Sequence, residues 1–249
     1  MDKIAIISDI HGNLVALKSV LDDINARGID RIYCLGDLVA KGAEPKQSLE
    51  LIRKTCQVVI KGNCDDVIAR NYDTEEHIWN RIQIGEDNIK YLDNLPFSYD
   101  FLLSGLKVRL IHSSPNDLYE SIDYYNVNEN LNDEIQNMFK FEDDYNPDIV
   151  IFGHIHSPFI YRQSEKMLLN PGAVSNGCDI MEKNGKKYNL SSYMILEGNL
   201  GSVDADVISY EIVKIPYNYE QEVENLRNSN MPNKEMAIEE LEKGVYVKR

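Results

Sequence analysis

Short apolar runs alternate with amphipathic stretches through the first two-thirds of the chain. Lys3–Ser8 (KIAIIS) is nearly continuous in apolar residues, as in a strand covered on both faces. Leu14–Ala26 carries Leu14, Leu17, Val20, Leu21 and Ile24 at helical spacing. Arg31–Leu35 and Cys56–Lys61 predict a second and a third strand, and Pro45–Lys54 predicts a helix between them with proline at its start. Acid-rich helical segments follow from about Asp65 to Asn94, then a hairpin of Phe97–Leu103 and Leu106–His112 joined at Ser104-Gly105. Ile149–Phe152 reads as a buried strand; Pro158–Gln163, Met167–Leu169, Ser191–Leu196 and Ala205–Ile215 complete the strand set. Strand–helix alternation that gives way to hairpins predicts an α/β fold with an antiparallel portion in its second half.

Two segments fall outside this rhythm. Asn116–Asp148 is acidic, rich in tyrosine and too long for a simple connection, so a cap over a site is expected over 116–148. Tyr219–Lys243 is polar and helical in pattern, which predicts a solvated peripheral tail. The expected organisation is one domain over 1–217 and a C-terminal helical tail over 218–249.

Composition narrows the class. At 249 residues the chain can bury roughly 70–75% of its unfolded surface without staples, and 43% apolar with 27% charged residues is ordinary for a globular protein. No apolar run reaches the length of a membrane span. The four cysteines, Cys34, Cys56, Cys64 and Cys178, show no paired spacing, and Met1–Ile4 opens into a strand without a leader pattern, so a reducing, cytoplasmic setting is expected. The net charge of −15 makes bulk nucleic-acid binding an unlikely function. An anionic small substrate would be repelled too, unless the site reverses the local field.

The chemistry collects where the apolar runs end. The first run ends in Asp9-Ile10-His11-Gly12-Asn13, the second in Gly36-Asp37, the third in Gly62-Asn63-Cys64-Asp65. The second hairpin strand ends in His112, and the Ile149 run ends in Gly153-His154-Ile155-His156. In layered α/β proteins, sites form outside the carboxyl ends of the strands, so five strand ends deliver metal-ligand side chains to one edge. Asp9/His11 and His154/His156 are i, i+2 pairs, which project to one face of extended backbone. Taken singly, each piece has an ordinary reading: an acid capping a helix, a turn at Gly62-Asn63, a hydrogen-bonded core histidine at 112. All five in order are improbable by chance. His77, the one histidine outside the set, reads as a surface or packing residue.

The order D-x-H, G-D, G-N-x-D, H, G-H-x-H resembles the calcineurin-like metallophosphoesterase superfamily, and most of all its small bacterial and archaeal phosphodiesterases, across residues 4 to about 175. The resemblance implies a four-layer α/β/β/α sandwich holding two divalent metals. Carried over, Asp9, His11 and His156 hold the first metal, Asn63, His112 and His154 hold the second, and Asp37 bridges them. It also places Asn63, Cys64 and His112 against the substrate and Asn63, Cys64 and Asp65 among the catalytic residues, Asp65 by orienting a neighbour. Asn170-Pro171-Gly172 resembles a family loop whose role is structural.

Mixed imidazole and carboxylate donors suit manganese first, with iron, zinc or nickel as alternatives, better than calcium or magnesium. Two divalent cations against two carboxylates leave about +2 at the site, which answers the charge problem. The implied activity is hydrolysis of a phosphodiester or small nucleotide-like substrate, with a water activated between the metals as nucleophile. Dinucleoside polyphosphate hydrolysis, phosphomonoester hydrolysis and a non-catalytic scaffold on the same fold are the alternatives. The partners implied are a small phosphorylated substrate and, as an open question, further copies of the chain; no membrane is implied. One departure stands out: many family members carry histidine after the G-N, where this chain has Cys64, a poorer proton donor to a leaving group.

Overall fold

The computed structural model describes residues 1–70, 74–120, 131–177 and 180–244. The chain runs β1 (Asp2–Ile7), α1 (Leu14–Ala26), β2 (Arg31–Cys34), α2 (Pro45–Thr55), β3 (Val58–Val59), α3 (Asn63–Ala69), α4 (Glu75–Ile84) and α5 (Glu86–Asp93). It continues with β4 (Ser98–Leu103), β5 (Leu106–Ile111), α6 (Leu131–Asn137), β6 (Ile149–Ile151), β7 (Phe159–Gln163) and β8 (Lys166–Asn170). The last elements are β9 (Ile180–Lys183), β10 (Lys186–Gly198), β11 (Ser209–Pro216), α7 (Tyr219–Asn228) and α8 (Lys234–Lys243).

Alternation along the strands decides the layering. In β1, Ile4 and Ile6 face a core shared with Tyr33, Leu35, Leu110, Ile151 and Leu169, while Ala5 and Ile7 face a core with Leu17 and Val20 of α1 and Leu49 of α2. A strand apolar on both sides must be covered on both sides, and β1 is covered by helices on one face and by a second sheet on the other. The first sheet has the order β11–β10–β1–β2–β3, with β9 paired to β10; β1, β2 and β3 are parallel, and β10 runs antiparallel to β1. The second has the order β4–β5–β6–β8–β7, parallel across β5, β6 and β8. On its outer face Ile135 of α6 and Met138 pack with Ile111, Val150, Phe152 and Leu168. The four-layer α/β/β/α arrangement is the expected one.

Two expectations are corrected. The C-terminal segment is no solvated tail: Val223, Leu226, Met231, Ala237 and Leu241 are buried in the helix-side core of the first sheet. Few apolar residues sit in it, but each sits where α7 and α8 meet α1 and the sheet. Past residue 130 of the 116–148 segment, Ile135 and Met138 pack on the outer face of the second sheet. Residues 121–130 of that segment lie outside the described residues, as does Cys178. Finally, β10 extends back to Lys186 and pairs with β9, a polar hairpin turned at Asn184-Gly185.

The outer face of β5 carries a second polar cluster. Arg109 sits opposite Asp100 in the β4–β5 register and gives it two hydrogen bonds, Nε to Oδ1 at 2.7 Å and Nη2 to Oδ2 at 2.6 Å. Nη1 lies 2.8 Å from Asp143 Oδ2, and the guanidinium stacks over Phe141 and Tyr145. Among the described residues no helix is long and apolar enough to cross a membrane.

Candidate metal centre

Backbone hydrogen bonds tie the strand ends into one edge. Past β1 and β2 the loops zip together, with the amides of Asp9, Ile10, His11 and Gly12 donating to the carbonyls of Gly36, Asp37, Asp37 and Leu38 at 2.8–3.1 Å. Gly153 N–H, past β6, donates to the carbonyl of His112 at 2.9 Å. The two sheets then meet: His154 N–H donates to Asp9 Oδ2 at 3.1 Å, and Ser175 N–H donates to the Asp9 carbonyl at 3.0 Å. Glycine is required at the crossing points. A Cβ on Gly153 would lie 2.1 Å from Ser8 Oγ, and one on Gly62 would lie 2.2 Å from Asp37 N.

Five of the seven side chains singled out as ligands stand on left-handed backbone: Asp9 (φ 55°), His11 (51°), Asp37 (54°), His154 (66°) and His156 (59°). Each such residue costs about 1–3 kcal/mol, and such strain clusters where function demands it. The left-handed turns aim successive side chains into a common space.

All seven side chains meet there. His156 Nε2 lies 3.3 Å from Asp9 Oδ1 and 3.0 Å from His11 Nε2. His156 Nδ1 faces the Asn176 carbonyl at 3.0 Å; a carbonyl only accepts, so Nδ1 carries the hydrogen and the Nε2 lone pair points inward. His112 follows the same logic, Nδ1 donating to the Leu35 carbonyl at 2.8 Å. Its Nε2 lies 2.9 Å from Asn63 Oδ1, and His154 Nδ1 lies 2.9 Å from the same oxygen. Asp37 stands between the two groups, Oδ2 3.8 Å from His11 Nε2 and Oδ1 3.5 Å from His112 Nε2. Asp9–His11–His156, Asp9–Asp37–His112 and His11–Asp37–Cys64 each offer donor atoms within 4.8 Å of one another.

The set fits a cation. Asp9 Oδ1 is buried without a hydrogen bond, and Asn63 Oδ1 lies 2.9 Å from both His112 Nε2 and His154 Nδ1, so a proton or a metal must sit between that oxygen and each nitrogen. Protonation tendencies follow. Burial alone would raise Asp9, but His156 and the other imidazoles outweigh it and hold the carboxyl well below its usual range. Burial works against charge on His112, yet Asp37 and Asp9 raise it above the ordinary histidine value. Burial and its cationic neighbours hold His11 well below that value, and burial and His112 take His154 down to about 4.

Cys64 and Asp65 differ in what they reach. Cys64 N–H donates to Asp37 Oδ1 at 2.8 Å, and burial and Asp37 push its thiol well above the ordinary value, so it keeps its proton. Asp65 faces backbone: it accepts from the amides of Asp37, Leu38 and Gly62 at 2.8, 2.9 and 3.0 Å, which makes it a positioning residue for Asp37. Burial and the Asp37 carboxylate raise it to about 7 against those donors. Asn170 is structural, its Nδ2 donating to the Gly153 carbonyl at 2.7 Å.

Several neighbours were not legible as site residues. Lys41 is buried, with φ 61°, 3.8 Å from Glu240 Oε2 on α8. Glu240 also accepts from Asn176 Nδ2 at 2.8 Å, and Asn176 is the residue on which His156 leans. Only the fold brings residues 41, 176 and 240 together. His77, read as a surface or packing residue, lines a cleft of about 220 Å³ that opens beside Asn63 and Cys64.

Comparison with known proteins places this fold. An uncharacterized protein of Methanocaldococcus jannaschii is 30% identical over 254 residues, covering 92% of this chain and 93% of its own. A metallophosphoesterase from Sphaerobacter thermophilus superposes with a TM-score of 0.72 at 24% identity, over 98% of this chain and 99% of that one. A hypothetical protein from Pyrococcus horikoshii gives 0.72 at 16% identity over 99% and 100%. Residues 2–197 match the calcineurin-like phosphoesterase superfamily domain. The strand-end Asp/His cluster thus lies in the matched stretch, and the chain belongs to the calcineurin-like phosphoesterase superfamily.

Proposed function

We propose that the chain is a two-metal phosphoesterase acting on a phosphodiester or small nucleotide-like substrate. The observation that carries the reading is the convergence of seven ligand-type side chains on one point, where Asp9 Oδ1 is buried without a hydrogen bond and Asn63 Oδ1 lies 2.9 Å from two imidazole nitrogens. Asp9, His11 and His156 would hold one divalent ion, Asn63, His112 and His154 the other, and Asp37 would touch both. Bound there, the pair supplies positive charge for the phosphate and a water acidic enough to attack phosphorus.

The chain's own residues do the rest. Asn63, Cys64 and His112 stand on the face where the substrate's phosphoryl group would lie. Asn63 is neutral, so the site keeps about one unit more positive charge than an aspartate would leave. Asp65 locks the backbone that aims Asp37. The Cys64 thiol, which keeps its proton, is a weak donor toward a departing alkoxide, so activated esters are the best substrates. Manganese is the metal we favour. The free thiols of Cys34, Cys56 and Cys64 support a cytoplasmic setting.

Metal analysis of the purified protein, with hydrolysis of bis-p-nitrophenyl phosphate before and after chelation, tests the reading. Two equivalents of transition metal and chelator-sensitive turnover restored by Mn²⁺ are expected. Stoichiometric metal with no turnover of any phosphoester would assign the chain to the scaffold class.

A further inference from the structure

The cleft beside Asn63 and Cys64 has walls that the metal cluster does not use. Val67 and Ile68 come from α3, Asn80 from α4, Lys41 from the loop after β2, and Met231 from the connection between α7 and α8. Met231 lies beyond residues 2–197, so the C-terminal hairpin closes a cleft that opens on the candidate centre.

Two of the polar groups on these walls, Asn80 and Lys41, are engaged within the protein. Asn80 Oδ1 accepts from Ala40 N–H at 3.2 Å, and its Nδ2 donates to the Glu76 carbonyl at 2.9 Å. Lys41 pairs with Glu240. The apolar lining is Val67, Ile68 and Met231, of which Val67 is the most open, with His77 beside them. At about 220 Å³ the cleft exceeds the ~150 Å³ that suffices for a benzene-sized guest in a dry protein cavity. A second phosphate would meet a cation already paired, the Glu76 side of the wall and a chain of net charge −15.

We infer that this cleft is the subsite for one alcohol arm of a phosphodiester, that it takes an uncharged apolar or aromatic group, and that Val67 and Met231 set that preference. The inference rests on the phosphoesterase reading and deepens it. It favours a diester with an aromatic arm over a polyphosphate chain.

Diphenyl phosphate and dimethyl phosphate carry the same single charge and differ only in their arms. Calorimetric titration of the metal-loaded protein should show diphenyl phosphate binding at least tenfold more tightly. Val67→Glu, on a partly exposed face of α3, should bring the ratio within about threefold. Met231→Ala should weaken diphenyl phosphate severalfold and leave dimethyl phosphate unchanged; it carries the test alone if circular dichroism shows the glutamate variant misfolded. Equal affinities in the parent protein, or a preference that survives both substitutions, overturn the inference. Turnover of bis-p-nitrophenyl phosphate by the same preparations separates the two claims. Preference without turnover keeps the cleft and removes the phosphoesterase reading, whereas turnover without preference does the reverse.

Discussion

Arg109 and His112 stand three positions apart at the end of one strand, and their surroundings are opposites. Arg109 finds its counter-charges inside the protein: Asp100 takes two of its donors, Asp143 a third, and two aromatic rings cover its faces. His112 is satisfied on one side by the Leu35 carbonyl and on the other meets Asn63 and Asp37, which also accept. A buried charged cluster that closes on itself serves the fold, while one that gathers carboxylates, an amide oxygen and four imidazoles on one point, with Asp9 Oδ1 left without a hydrogen bond, suits a cation from outside. Burial alone would not have told them apart.

The largest effect expected from breaking this contrast is at Asp37. Replacing it with asparagine removes the charge that reaches both groups, so turnover of bis-p-nitrophenyl phosphate should fall at least 100-fold and bound metal should drop below one equivalent, read by elemental analysis. Chelation should abolish turnover in the parent protein and leave the Arg109 cluster untouched, since no cation is missing there. Full activity in metal-free protein would sink the assignment.

Cys64→His asks whether the open side of the cluster also lacks a proton donor. If it does, kcat/KM should rise about tenfold or more for esters of poorly leaving alcohols, within the range a positioned general acid supplies, and change little for nitrophenyl esters. An unchanged slope against leaving-group pKa would mean that the proton comes from elsewhere.

Arg109→Met should do the converse: stability lowered by about 2 kcal/mol in urea titrations, and turnover within twofold of the parent. Loss of activity without loss of stability would reverse the roles drawn above.

Glu222 is an intermediate case and should give the smallest effect. Its Oε1 accepts from Ala43 N–H at 2.9 Å, but its Oε2 has no hydrogen-bond partner. Burial raises it from an ordinary 4.5 to about 8. The folded protein thus holds this proton to higher pH than the unfolded chain does. The contribution is complete below about 4.5 and is lost as pH rises through about 8. Urea midpoints at the two ends of that window should show Glu222→Gln, which keeps the acceptor for Ala43, losing clearly less stability than the parent.

Identity and spacing made much of this legible. The helix Leu14–Ala26 appears with the expected bounds, because its apolar spacing, the Asn13 cap and the Gly28 stop agree. The seven converging side chains could be named because each follows an apolar run, and run ends share an edge in a layered fold. The hairpin at Asn184-Gly185 carried a turn signal, but its flanks are polar and exposed and showed no alternation. The docking of α7 and α8 was hidden because five scattered apolar residues matter only against a surface built by distant segments. Left-handed backbone at Asp9 and His154, and the chain from Lys41 through Glu240 to Asn176, are tertiary facts with no local signature.

The position of β1 in its sheet also governs how the molecule can be made. It is synthesised long before β10, yet it lies between β2 and β10, and its pairing with β10 joins Asp2 to Gly198. Until β10 has been synthesised, β1 is an edge strand with one side unpaired, a template for pairing with other chains. Asp9 and His11 emerge with it, long before His154 and His156 exist to meet them. Growing chains stalled before β10 should therefore be protease-sensitive and prone to clump, and the arrival of β10 should be the step at which the edge of β1 closes.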